Sequence, residues 1–410
     1  MSWQPILVGA EADHAREIVA TIAAELCAHV EAVGLDEPWM ALLFSDRARV
    51  DGREQDARVA AWMEALAIDE LAESALDPIL HNGWVGTAFV LAQLAEQRGE
   101  SADDERFAEI DAALLDELHG DHWYGRHDLI EGLAGIASYA LERLPSPIAA
   151  RCLTCVVEHL AATAETREVG LCWRTPGRHW PDLDQPARDD LGVAHGIAGV
   201  ITVLARAHAA GIEPERCRAL VEGAVAWLIA QRLPVGVGSR VPHWIEPDRE
   251  PREARQAWCY GGLGIAPTLV TAARCLGRPE WEATARAWAL AEAERAPEQT
   301  GIIDPYFCHG SIGAAHLFNR LYQATGEPRL RSAAQTWLRR TFAYFDPNVE
   351  GAIAGFRPQR MPGREPDGEW MQCRGLLTGV TGTGLGLLAA TGEVAPAWDR
   401  GLGAGIPDRP

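Results

Sequence analysis

Two cysteines and a histidine carry the strongest chemical signal in the sequence. Trp258-Cys259-Tyr260-Gly261 and Cys308-His309-Gly310 each place a cysteine two residues before a glycine, and the cysteines lie 49 residues apart. Two thiols and an imidazole brought together look like three protein ligands for one zinc ion. Three ligands leave the fourth tetrahedral position open, as a catalytic zinc requires. The competing reading is two core cysteines and a hydrogen-bonded histidine.

An internal repeat gives these residues a reason to meet. Gly-x-x-Gly followed by an apolar, small-residue run occurs six times, and the second glycines are Gly86, Gly135, Gly199, Gly264, Gly313 and Gly382. They are 49, 64, 65, 49 and 69 residues apart, so the two cysteines are one repeat apart. Each run has apolar residues on helical spacing, and a more polar amphipathic run follows, such as 216–233 or 280–296. The unit is a buried helix with a glycine-rich start, then a covering helix. Period-2 alternation is not sustained, so few strands are expected.

Stacked helix pairs form an open solenoid or a closed ring. The last repeat, 375–391, is as apolar as the middle ones and little chain follows to cap it. That favours closure into an all-α barrel. The expected organisation is one domain over 1–410, with N-terminal helices in 1–75, the repeats in 76–392 and a tail in 393–410. The glycines are expected to let helix starts converge at the centre. Their backbone N–H groups would then be left to receive an enolate or carboxylate. The Pro-, Gly- and charge-rich loops 175–190, 233–253 and 356–369 each precede a glycine element and should rim the same face.

A ring would bring together the residues just before the first glycines: Asn82, Glu131, His195, Tyr260, His309 and Thr378. His195 reads as a fourth ligand or as an acid/base beside the metal. Asp128 reads as an N-cap or as a partner that orients His195 and shares its protons. Arg255 would bind an anionic or enolate oxygen, or is a solvated loop arginine. Trp258 would line an apolar peptide cleft, or belongs to the core. Cys152-x-x-Cys155 has no second pair, sits in helical sequence and reads as structural.

Composition narrows the class. The net charge of −21 and pI near 5.0 argue against nucleic acid or anionic membrane as the main partner. Nine cysteines, an odd count, mostly in apolar helical runs, indicate a reducing cytoplasm. The first thirty residues mix acids with apolar residues and do not read as a signal peptide, and no run is apolar enough for a transmembrane segment. There is no nucleotide fingerprint, P-loop or Gly-x-Ser-x-Gly element.

These motifs resemble the lanthionine synthetase C-like family, the cyclases of class I lanthipeptide biosynthesis. The matching segments are 128–135, Ala194-His195-Gly196 with Gly199, RQAWCYGGLG at 255–264, FCHGSIG at 307–313 and 375–379. The resemblance implies an α/α toroid of seven inner and seven outer helices. The helical stretches 11–32 and 58–74 would complete the seven pairs. It implies zinc on Cys259, Cys308 and His309, with His195, Asp128 and Arg255 catalytic and Trp258 and Tyr260 in the substrate pocket. One departure is Gly262-Leu263, where the family often has a proline before the second glycine.

The implied reaction adds a cysteine thiol of a dehydrated precursor peptide to dehydroalanine or dehydrobutyrine. His195 is expected to face the open zinc position without ligating it. Which of His195 and Asp128 takes the thiol proton, and which donates to Cα, stays open at this point. A lanthipeptide dehydratase is the partner such a pathway brings. Two other readings keep the same fold: an enzyme that adds glutathione to dehydrated residues, and a non-catalytic peptide-binding scaffold. A third, a zinc prenyltransferase, would need a basic diphosphate pocket, and the sequence has no matching basic cluster.

Overall fold

A computed structural model of the protein describes residues 3–73, 76–100, 105–120, 122–123, 125–180, 183–234, 238–357 and 374–409. The expected loop at 356–369 lies outside them from 358 onward, as does Cys373. The described residues form fourteen α-helices and a few strands of two or three residues. They group into two compact units, Met1–Ser74 with Gly301–Pro396, and Ala75–Thr300 with Ala397–Pro410.

In the second unit, glycine-led helices alternate with amphipathic ones. The glycine-led helices are α4 (Trp84–Gln97), α6 (Leu133–Glu142), α8 (Ile197–Ala209) and α10 (Gly261–Leu276). They are buried nearly all round: in α8 every residue from Ile197 to Ala205 is buried. Their partners are α5 (Ala108–Leu118), α7 (Pro147–Thr163), α9 (Pro214–Ala230) and α11 (Pro279–Ala293). These bury one stripe, which in α9 is Cys217, Leu220, Val221, Ala224, Val225, Trp227 and Leu228. Three of them start on proline, whose fixed φ suits the first helical position and whose missing N–H would be orphaned there anyway. Each buried helix packs on its neighbour in the row, α4 on α6, α6 on α8 and α8 on α10.

The first unit is built from both ends of its sequence. It contains α1 (Ala10–Val33), α2 (Met40–Asp51), α3 (Glu54–Glu73), α12 (Ser311–Thr325), α13 (Pro328–Ala343) and α14 (Val380–Thr391). The glycine-led α14 is buried throughout and packs on α1, α2 and α12. Its cover is therefore α1, supplied by the other end of the sequence. The Trp3 indole donates to the Ala389 carbonyl at 2.8 Å, and Ile6 N–H donates to Ala390 at 2.9 Å. The seventh buried helix is α2, whose residues Met40 to Phe44 are all buried. It lacks Gly-x-x-Gly, and the sequence reading passed over it.

Candidate active site

The glycine-led helices start on a tight fold-back. In four of them a first-turn N–H bonds the carbonyl seven residues upstream: Trp84 to Asp77 (3.2 Å), Leu133 to Arg126 (3.0 Å), Ser311 to Asp304 (2.8 Å) and Thr381 to Arg374 (3.1 Å). The start of α10 differs, because Gly262 N–H donates to the buried Glu292 carboxylate at 3.1 Å and to Ser239 Oγ. These N–H groups are thus spent on the protein itself. For these five helix starts the expectation that they stay open for substrate is corrected: a buried helix start must satisfy its own donors.

The second glycines are required by that fold-back. A Cβ on any of the six second glycines would lie closer than 3.0 Å to the carbonyl oxygen six residues upstream, such as Trp258 O for Gly264.

Successive turns are joined by backbone hydrogen bonds at equivalent repeat positions. His81 N–H donates to Ile130 O (3.2 Å), Leu129 and Ile130 N–H to Ala194 O (3.2 and 3.3 Å), and Val193 N–H to Cys259 O (3.0 Å). In the first unit Cys308 N–H donates to Leu377 O at 2.7 Å. The residues beside the first glycines are therefore held in register by main chain.

Asp128 braces its own turn and meets His195, while the N-cap position of α6 falls to Gly132, which makes no side-chain cap bond. The Asp128 Oδ1 accepts from Ile130 N–H at 3.0 Å and Glu131 N–H at 2.7 Å, which braces the turn. Its Oδ2 lies 3.1 Å from Nδ1 of His195. Asp128 is almost fully buried, while His195 is about one-third exposed at 32%. Burial pushes the Asp128 carboxyl up, but the hydrogen bond and charge of His195 outweigh it and leave the carboxyl below its usual range. Burial pushes the His195 imidazole down, but the bond and charge of Asp128, with Asp190 and Glu131 behind it, leave it above its usual value. Both directions favour the proton on the imidazole over the carboxyl. His81 is also near His195, and burial and then that charge keep its own imidazole below its usual value.

Cys259, Tyr260 and Arg255 stand on the next turn. Tyr260 is buried, with its hydroxyl donating to Asp190 Oδ2 at 3.0 Å. Its ring meets His243 edge-on, with centroids 5.1 Å apart. Arg255 N–H donates to His243 Nε2 at 3.3 Å. Burial, and then the charges of Arg255 and Arg188, push the His243 imidazole down to about 4, so it stays neutral. The Arg255 Nε is buried without a hydrogen-bond partner among the described residues. Trp258 lies in the core, the second of the two readings weighed for it. It is 1% exposed and its indole donates at 2.8 Å to the carbonyl of Leu402 in the C-terminal tail. Cys308 and His309 precede α12, and Nε2 of His309 lies 3.4 Å from Asp304 Oδ2.

Two groups of three among the described residues could each hold a metal ion, with one ligand atom per residue and those atoms within 4.8 Å of one another. One is Cys259, Cys308 and His309; the other is Asp128, Glu131 and His195. The second group has other work. Both Asp128 oxygens are engaged, and the Arg126 guanidinium bridges Glu131 at 2.9 Å and lies 3.9 Å from Asp128. That guanidinium opposes a cation there.

The model of the family described as lanthionine synthetase C-like protein matches residues 40–402. The chain belongs to the lanthionine synthetase C-like family. The match begins well upstream of the first Gly-x-x-Gly and takes in α2 and α3. Among solved structures the chain is similar to one described as nisin cyclase. The likeness has a TM-score of 0.70 at 17% identity and covers 95% of this chain and 97% of the other. The fold is therefore an α/α toroid, as expected, and the described helices divide into seven buried and seven covering ones.

Within this family frame, the residues that sequence reasoning missed are Asp190, Asp304, His243 and Arg126. A signal for two of them was present. The runs Asp190-Leu-Gly-Val-Ala-His195-Gly and Asp304-Pro-Tyr-Phe-Cys-His309-Gly both place an aspartate five residues before a histidine at the same repeat phase. The Cys152-x-x-Cys155 pair lies within α7, and burial and then Asp111 push the Cys152 thiol up to about 12, which disfavours its thiolate.

Proposed function

We propose that the protein is a zinc-dependent lanthipeptide cyclase. It adds a peptide cysteine thiol to a dehydroalanine or dehydrobutyrine of the same peptide, closing a (methyl)lanthionine thioether ring. The observation that carries this reading is the Cys259, Cys308 and His309 group in a chain of this family. The donor set suits zinc, since two thiolates and an imidazole are soft ligands that leave one position open. Asp304 beside Nε2 of His309 is the kind of carboxylate partner that metal-ligating imidazoles use, with Nδ1 the nitrogen that would ligate. Zinc held there would supply a Lewis acid that lets a thiol react as its thiolate at neutral pH.

The protein's own residues handle the rest of the chemistry. The S–H and C=C π bonds break, S–Cβ and Cα–H bonds form, and mass is unchanged. The thiol proton leaves to solvent, and the enolate formed by attack at Cβ takes a proton at Cα. His195 is the donor, because Asp128 raises the proton affinity of its imidazole and Nε2 is the nitrogen not on Asp128. Asp128 orients His195 and sustains its charge. Arg255 offers a guanidinium to the enolate oxygen. The substrate is a precursor peptide already dehydrated on Ser and Thr by a lanthipeptide dehydratase. The eight described cysteines are free thiols, in keeping with a reducing cytoplasm. No described helix is long and apolar enough to cross a membrane.

Purified protein incubated with a dehydrated precursor peptide, with and without glutathione, tests the reading by mass spectrometry and thiol alkylation. Cyclisation gives loss of alkylatable thiols with no change in peptide mass. A gain of one glutathione per site would instead identify a glutathione-adding enzyme. A protein that carries no zinc and leaves every thiol alkylatable would be a binding scaffold.

A further inference from the structure

Asp190 moves no proton in the chemistry above, yet both of its oxygens are engaged beside it. It is fully buried at 0% exposure. Its Oδ1 accepts from Gly192 N–H at 2.9 Å, which shapes the turn leading to His195. Its Oδ2 accepts from Tyr260 Oη at 3.0 Å and faces Arg188 Nε at 3.4 Å. Arg188 in turn stacks over the Trp244 ring at 4.2 Å. Asp190 ends the strand Arg188–Asp190, which pairs with Trp244–Ile245, so the carboxylate stands on braced backbone.

Two further contacts join the same turns. Val193 N–H donates to Cys259 O at 3.0 Å. At Gly192 a Cβ would lie closer than 3.0 Å to both Cys259 O and the Tyr260 ring, so only glycine lets the turns approach this closely. The turn carrying His195 and the turn carrying Cys259 thus interlock through a side-chain bond, a backbone bond and a glycine contact.

We infer that Asp190 is a positioning residue: through Tyr260 it holds the Cys259 turn against the His195 turn, fixing the proton donor relative to the metal ligand. This rests on the cyclase reading. It also gives Tyr260 a different task from the substrate contact implied by resemblance, since its hydroxyl is bonded inward.

The test compares wild type, Tyr260→Phe, Asp190→Asn and the double variant, each checked for folding by circular dichroism and loaded with Co(II) in place of zinc. Tyr260→Phe should lower kcat about tenfold with KM nearly unchanged, the scale expected for a small misplacement. Asp190→Asn should do the same, and the double variant should be no worse than the poorer single one. The cobalt d–d bands should shift in all three, with one cobalt per chain retained. If Asp190→Asn does not fold, Tyr260→Phe alone decides. A variant with wild-type kcat and cobalt spectrum, or fully multiplicative losses in the double variant, would overturn the inference. Wild type that binds cobalt and shows the spectral shift in Tyr260→Phe, yet cyclises no peptide, upholds the positioning role and sinks the cyclase reading. Wild type that binds no cobalt sinks both.

Discussion

His195 and His309 occupy the same place in their repeats. Each directly precedes the first glycine of a fold-back, and each follows an aspartate five residues earlier. Their surroundings divide them. His309 keeps its own aspartate, with Asp304 3.4 Å from Nε2. His195 does not: Asp190 is turned to Tyr260, and Nδ1 of His195 goes instead to Asp128, on the preceding repeat. The engaged nitrogens are opposite, and so are the nitrogens proposed for chemistry, Nδ1 in His309 and Nε2 in His195. One repeat position yields a proposed metal ligand in one case and a proposed proton donor in the other. The difference lies in which carboxylate reaches the ring.

Exchange of each histidine for asparagine tests that division most strongly. His309→Asn should lose zinc, measured by metal analysis of the purified protein, and lose cyclisation with it. His195→Asn should keep about one zinc per chain and slow cyclisation about 10²–10⁴-fold, the usual worth of a positioned acid or base. Equal zinc loss in both variants would erase the distinction.

The two aspartates give the next largest effect. Asp304→Asn should weaken zinc binding about 10–100-fold, read by competition with a chelator, because it removes a carboxylate from a ligand's far nitrogen. Asp128→Asn should leave zinc affinity alone and move the pH profile. Without the carboxylate the His195 pKa falls from its raised position, so the limb lost as the donor deprotonates should shift to lower pH. A shift to higher pH would contradict the assignment.

The sequence was informative wherever close backbone contact demanded glycine. Six of the seven buried helices announce themselves because a carbonyl six residues upstream leaves no room for a Cβ. The seventh, α2, begins on Trp39 with Met40 N–H bonded to Glu37 O, a shorter turn that needs no glycine, and so carried no mark. The cover of α14 was invisible because α1 comes from the far end of its unit's sequence. Site residues followed the same rule. Those adjacent to the glycines could be placed by repeat phase. The Asp190–Tyr260 bond spans 70 residues and depends on which way a carboxylate turns, which spacing does not encode.

Stability offers a finer measure of the same comparison. Asn at position 128 can still accept from Ile130 and Glu131 through its amide oxygen, so Asp128→Asn isolates the charge on His195. The loss should be about 1.5–3 kcal/mol between the folded pKa values of Asp128 and His195, the range for a hydrogen bond to a charged group. The His195 pKa is raised on folding, so this stabilisation fades as pH rises through the folded value. The Asp128 pKa is depressed, so it also fades as pH falls through that folded value. Urea titrations of wild type and variant should therefore diverge most between those limits and converge outside them.

The neighbouring Glu131 sets the lower bound. It pairs with Arg126 at 2.9 Å but its side chain is 30% exposed, and Glu131→Gln should cost no more than about 1 kcal/mol. Its contribution to the His195 charge is secondary to that of Asp128, so the pH profile should barely move. A shift in Glu131→Gln as large as in Asp128→Asn would mean that the charge on His195 comes from the whole acidic turn, and that His195 differs from His309 by its field more than by its partner.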